Sequence, residues 1–250
     1  MLKAWPLAFP QFTPDIWLGY APTDTATPAL LLPLEVGQLT GRESPKRRRE
    51  FCAGRLAARR AAARAGVRDP GALLSAKAGE AIEVGAPRWS ASDLCVSLSH
   101  SRGLAVAAVS MAPVGVDVEL RPAPLPAGAR AWVLAHTRQI PPPRLGESVA
   151  AEPSHLTPWA EVLGLHAACV ATLSVREAAL KAAGCASELY SPAVDVVFWV
   201  APRENPTPGG VSLACEVRRA TEVWTLRGFA CEVDGGVLVV FGQLPAPFGA

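Results

Sequence analysis

Charged residues make up only 18% of this 250-residue chain and aromatic residues only 6%. The net charge is +2, with 24 Lys and Arg against 22 Asp and Glu, so the protein is not generally basic. Six cysteines (Cys52, Cys95, Cys169, Cys185, Cys215 and Cys231) form no C-x-x-C pair and no zinc spacing. Several lie in apolar runs, where a free thiol behaves as a small hydrophobe. A charged leader, an apolar core and a cleavage site are missing at the N-terminus, and no apolar run is long enough to span a bilayer. These absences predict a soluble, cytoplasmic protein without a membrane partner. No internal repeat with a period of about 20–50 residues is detectable. What the chain has in plenty is apolar residues, half of the total, enough for one large domain or two small ones.

Charge of one sign is concentrated. Ten of the 24 Lys and Arg lie between Arg42 and Arg68, against only Glu43 and Glu50, which points to an anionic partner for one face. The same stretch predicts a helix. Ser44 can cap it, Pro45 suits its first turn, Lys46 to Ala65 is rich in helix formers, and Gly66 can end it. At helical spacing Arg48, Arg55 and Arg59 share a narrow sector, with Phe51 at its edge. A row of guanidinium groups can bind phosphate oxygens in pairs, although a solvated Arg face beside an Ala-rich packing face gives the same pattern.

The first 40 residues are apolar and punctuated by proline, with one strand predicted around Ile16–Tyr20. Leu94–Ser99 and Leu104–Ser110 read as a hairpin joined by His100-Ser101-Arg102-Gly103. His100 at a strand end is either a phosphate donor or a polar turn residue. In Val114-Gly115-Val116-Asp117-Val118-Glu119-Leu120, apolar residues alternate with Asp117 and Glu119, the period-two pattern of a strand. The two carboxylates then share one face about 6–7 Å apart. Such a pair presents oxygen ligands for Mg²⁺, or simply marks a strand running into solvent.

From Arg121 the composition turns Pro- and Ala-rich. A short helix over Ala129–Thr137 and an irregular insertion at about 139–158 are expected. A helix over about Trp159–Ala171 follows. Ser174-Val175-Arg176-Glu177 then has the form of a capping box opening a second helix through about Ala183. Glu177 and Lys181 are one helical turn apart, so an ion pair, a cap and a ligand role all remain open for Glu177. Val194–Val200, Val211–Val217, Glu222–Val233 and Val237–Gly242 read as antiparallel strands, and the whole order predicts an α+β chain.

Four segments, taken in order, resemble one family. They are Arg49-Glu50-Phe51-Cys52-Ala53-Gly54-Arg55 with Arg59, Ser97-Leu98-Ser99-His100-Ser101, Val114-Gly115-Val116-Asp117-Val118-Glu119, and Leu173-Ser174-Val175-Arg176-Glu177-Ala178-Ala179-Leu180-Lys181. The chain is similar over about residues 40–185 to the 4'-phosphopantetheinyl transferase superfamily. The likeness is to its long single-chain form, which activates siderophore, nonribosomal-peptide and polyketide synthases. The resemblance implies transfer of the phosphopantetheine arm of coenzyme A to a carrier-protein serine, releasing 3',5'-ADP. It implies Mg²⁺, or Mn²⁺, on Asp117, Glu119 and Glu177, with Glu177 taking the serine proton and Lys181 binding phosphate. It further implies nucleotide phosphates at Ser99 and His100, and the 3'-phosphate end at Arg55 and Arg59. The implied fold is a monomeric pseudo-dimer of two α+β halves, residues 1–113 and 114–250, with the substrate cleft between them.

Departures from the family pattern are Arg176 in place of lysine, Leu173 in place of an aromatic residue, and Gly85-Ala86-Pro87 where a basic residue is usual. The Arg176 and Leu173 departures motivate a second reading, a homologue that binds coenzyme A or a carrier domain without turnover. A third, a nucleic-acid-binding helix over Arg42–Arg68, leaves the three carboxylates unexplained.

Overall fold

The computed structural model describes residues 16–75, 87–120, 125–139, 165–200, 210–233 and 236–243. The expected Pro-rich insertion, the helix start near Trp159, and Gly85-Ala86 lie outside them. The described chain is α+β. Helix α1 (Pro33–Val36) is a single turn, and α2 spans Pro45–Arg64. Strand β1 (Trp17–Pro22) pairs antiparallel with β5 (Leu104–Ser110), which pairs in turn with β4 (Cys95–Ser101). Two short strands, β2 (Leu73–Leu74) and β3 (Arg88–Trp89), pair beside this sheet.

The second sheet has six strands in the order β6-β11-β10-β9-β8-β7. These are β6 (Val114–Glu119), β7 (Thr137–Gln139), β8 (Val194–Val200), β9 (Gly210–Arg219), β10 (Glu222–Val233) and β11 (Gly236–Gln243). The expected antiparallel meander is present, with β7 added in parallel to β8. Helix α3 covers Ala127–His136 and α4 covers Leu165–Ala182.

Local chemistry accounts for these elements. Ser44 Oγ accepts from the Arg47 amide at 3.2 Å and caps α2, and Gly66 leaves it at φ +83°. The β4–β5 turn is tighter than expected. Arg102 and Gly103 alone take positive φ (42° and 92°), as a two-residue hairpin requires, so His100 and Ser101 belong to the strand.

The expected capping box does not form. Ser174 to Glu177 lies inside α4, because Ala168, Ala171, Val175, Ala178 and Ala182 continue one buried stripe at helical spacing through that point. One helix therefore replaces the expected pair. Tertiary burial of a continuous face overrides a local start signal.

Three cores stack in order. The first lies between α2 and the three-stranded sheet, the second between the two sheets, and the third between α4 and the six-stranded sheet. Strand alternation divides them: Val114, Val116 and Val118 face the middle core, while Gly115, Asp117 and Glu119 face the other way.

The two helix–strand contacts are built alike. A Cβ on Gly19 of β1 would lie 2.1 Å from the Ala57 carbonyl oxygen and 2.6 Å from the Ala61 nitrogen. On Gly115 of β6 it would lie 1.9 Å from the Ala178 carbonyl oxygen and 2.6 Å from the Ala182 nitrogen. Backbone approach this close needs glycine on the strand and alanine on the helix.

Candidate active site

A cleft of about 970 Å³ opens where the two sheets and both long helices meet. Arg47, Glu50, Phe51 and Arg55 of α2 line one wall, with Ser97, Ser99 and His100 of β4. Asp117 and Glu119 of β6, Glu177 and Lys181 of α4, and Trp224 of β10 line the other. Seven of the eight residues singled out in the sequence thus meet in one place. Arg59 does not. Its Nη1 binds both oxygens of Glu35 (2.9 and 2.8 Å), a carboxylate with no exposure, and its Nη2 donates to the Leu30 carbonyl. The predicted arginine row therefore splits, because a buried Glu35 on a distant segment must be neutralised.

Arg55 is 4% exposed. Its guanidinium lies 3.3 Å from the centre of the Phe51 ring and donates to Ser75 Oγ (2.8 Å) and Gln38 Oε1 (3.3 Å). Burial pushes its pKa down to about 10, against the opposing pull of Glu35. Its Nε is buried without a partner. His100 sits at the rim between Arg47 Nη1 (3.3 Å) and Glu50 Oε2 (3.6 Å).

The carboxylates gather on Lys181. Its Nζ lies 2.9 Å from Glu177 Oε1 and 3.6 Å from Asp117 Oδ1, and it donates to the carbonyls of Val116 (2.9 Å) and Leu98 (3.2 Å). The ammonium's three protons are taken up by Glu177 and the two carbonyls. Glu177 is therefore an ion-pair partner on its own helix and caps nothing. Asp117 is almost fully buried, and Ser99 Oγ donates to its Oδ1 at 2.8 Å. Burial pushes its carboxyl up to about 6; Glu177 adds to the shift, while Lys181, Ser174 and Ser99 oppose it. The Ser174 hydroxyl is fully buried and close enough to favour the ionised form of Asp117, yet it completes no hydrogen bond. Glu119 receives a hydrogen bond from Ser101 Oγ at 3.0 Å.

Among the described residues, no three His, Cys, Asp or Glu side chains already converge as a metal centre. The donors fit a hard divalent cation in kind. Two of the three carboxylates already share a positive charge, and all three line one cleft.

Arg176 turns away from the cleft. It is fully buried and donates to the carbonyls of Leu189 (2.8 Å), His136 (2.8 Å), Ser191 (3.1 Å) and Val194 (2.8 Å), with Trp132 over its guanidinium. Its planar fork ties α4 to the segments before β7 and β8, a structural task that lysine could not perform in the same way. Two features escaped the sequence reading. The Ser97, Ser99 and Ser101 alternation was visible as a period of two, whereas the Glu35–Arg59 pair left no local signal.

Residues 37–110 match the family model of the 4'-phosphopantetheinyl transferase N-terminal domain. The match spans less than a third of the chain and marks that segment as similar to the N-terminal domain of a transferase. It takes in α2, β4 and β5, hence Arg55, Ser99 and His100, and ends before Asp117. No curated protein matches the chain.

Proposed function

We propose that the chain is a Mg²⁺-dependent 4'-phosphopantetheinyl transferase that moves the phosphopantetheine arm of coenzyme A onto a serine of an acyl or peptidyl carrier protein. One observation carries this reading. A single cleft joins Arg55, Ser99 and His100, from the segment that matches the family model, to Asp117, Glu119, Glu177 and Lys181, which lie beyond it.

In this reading Arg55 binds the 3'-phosphate from the wall of the cleft, and Ser99 and His100 face the nucleotide phosphates. Asp117, Glu119 and Glu177 would hold the cation, Mg²⁺ or Mn²⁺, which would supply neutralisation of the charge that develops in the transfer. Glu177 accepts the proton of the carrier serine. The serine oxygen forms a bond to the β-phosphorus, the bond from that phosphorus to the bridging oxygen breaks, and 3',5'-ADP leaves with the electron pair. Lys181 aims Glu177 from the same helix face, and it exchanges one of its present partners for a phosphate oxygen when the cleft fills. Division near Pro113 into two α+β halves, a monomeric state and a cytoplasmic setting belong to the same reading.

Two observations weigh against the competing readings. Arg176, which departs from the family's lysine, does not touch the cleft, so it gives no ground for loss of turnover. Part of the basic run is already engaged inside the protein, while Arg42, Lys46, Arg47 and Arg49 stay exposed. Arg55, Arg59, Arg60 and Arg64 all donate within the protein, the last two to the carbonyls of Tyr20 (2.7 Å) and Leu18 (2.6 Å).

The test is intact-mass analysis of a panel of apo carrier domains incubated with the protein, coenzyme A and Mg²⁺. A carrier that gains the phosphopantetheine mass, only with metal present, supports the proposal. An unchanged mass across the panel, with folded protein, overturns it.

A further inference from the structure

Strands β4 and β6 belong to different sheets, so no main-chain ladder joins them. The amides of Val116, Val118 and Leu120 point out of the free edge of β6, where unpaired donors are costly. Three serines of β4 meet them. Ser97 Oγ accepts from Val116 at 3.1 Å, Ser99 Oγ from Val118 at 3.2 Å, and Ser101 Oγ from Leu120 at 3.1 Å. Contacts advance two residues at a time on both strands, so β4 and β6 run parallel along a seam of side-chain hydroxyls. A hydroxyl carries one proton besides its lone pairs. Ser99 gives its proton to Asp117, and Ser101 gives its proton to Glu119 Oε2 at 3.0 Å. The same two atoms that close the seam therefore orient the two carboxylates on the far strand.

We propose that Ser101 is a positioning residue for Glu119: held by the Leu120 amide, it fixes the rotamer in which Glu119 faces the cleft as a cation ligand. This rests on the transferase reading given above. Ser101 touches neither substrate nor cation; it acts through Glu119, as outer-shell partners do for ligating carboxylates. Ser97 provides an internal control. It accepts from Val116 in the same way, but no carboxylate receives its proton.

The experiment compares full-length wild type with Ser101→Ala, Ser101→Thr and Ser97→Ala. Three readouts are taken: Mn²⁺ affinity by electron paramagnetic resonance with coenzyme A present, amide exchange along β6, and transfer kinetics against metal concentration. Ser101→Ala is expected to weaken Mn²⁺ binding by about 10-fold or more, and to raise the metal concentration needed for half-maximal rate by a like factor. It also speeds exchange at Leu120. Ser101→Thr restores both. Ser97→Ala speeds exchange at Val116 and leaves Mn²⁺ affinity at the wild-type value. Equal Mn²⁺ affinity in Ser101→Ala and Ser97→Ala overturns the proposal, as does failure of threonine to rescue. If wild type modifies no carrier, the transferase reading falls by itself, while the Mn²⁺ and exchange measurements still decide the role of Ser101. If wild type binds no Mn²⁺, the positioning role falls with it.

Discussion

In the first half of the molecule Gly19 of β1 lies against Ala57 and Ala61 of α2, and Arg60 donates to the Tyr20 carbonyl. In the second half Gly115 of β6 lies against Ala178 and Ala182 of α4, and Lys181 donates to the Val116 carbonyl. Each strand glycine meets two alanines one helical turn apart, and the basic residue just before the second alanine reaches the carbonyl just after the glycine. Two residues before the first alanine stand Arg55 and Arg176, both buried.

The halves part at three positions. Two and four residues beyond the glycine are Ala21 and Thr23 in one half, Asp117 and Glu119 in the other. Immediately before the first alanine stands Leu56 in one, Glu177 in the other. A shared packing frame thus carries apolar or neutral side chains on one side of the molecule and carboxylates on the other. The frame follows from close backbone approach, and the chemistry occupies three sites upon it.

The largest effect should separate those paired positions. Glu177→Gln should slow carrier modification by at least about 100-fold, whereas Leu56→Ala should leave the rate near wild type. A mass-spectrometric time course reads both. The buried arginines should differ next. Arg176→Met strips donors from four carbonyls and should destabilise the fold by about 3 kcal/mol or more in urea denaturation. Arg55→Met removes two polar partners and should cost less. The glycines test the likeness itself. Gly19→Ala and Gly115→Ala should each cost about 1–3 kcal/mol, and unequal losses would break the equivalence of the two contacts.

Legibility in the sequence follows the range of the interactions. Helix α2 was readable because its cap, its proline and its terminal glycine act within a turn of the chain. Asp117 and Glu119 were readable because a strand's period of two places them on one face. The start of α4 was misread because Ser174 and Glu177 mimic a cap locally, while the stripe from Ala168 to Ala182 decides the helix through its packing. The pairing of Arg59 with Glu35 leaves no trace in the sequence, because Glu35 lies on a segment that no periodicity links to α2. Arg176 stands out in the sequence only as a departure from the family's lysine, and its task shows in the fold, where carbonyls of segments folded back against α4 accept from all three of its nitrogens.

The two arginines, Arg55 and Arg59, yield a further contrast. Arg55→Ala should raise the KM for coenzyme A about 10-fold, by loss of a charge-assisted contact. Arg59→Ala should leave KM alone and lower stability, because Glu35 then stays buried without its counter-charge. Paired kinetics and denaturation distinguish the two.

The smallest expected effect concerns pH. Asp117 is pushed from 3.8 up to about 6, chiefly by burial. Between those values the folded protein holds a proton that the unfolded chain has released. The contribution of Asp117 to stability is therefore greatest below its unfolded pKa and is lost as pH rises through its folded pKa. Asp117→Asn should remove that slope, gaining on wild type between pH 4.5 and pH 7 in matched denaturation curves; parallel curves would contradict the shift. Ala21, its counterpart in the first half, has no proton to exchange.

The most direct test is a crystal structure of the protein with coenzyme A and Mn²⁺, located by anomalous scattering. The expected result is one Mn²⁺ peak within coordination distance of Asp117, Glu119 and Glu177, with the 3'-phosphate at Arg55. A peak elsewhere, or coenzyme A bound with Glu177 still held by Lys181 and no metal between the carboxylates, would contradict the proposed site.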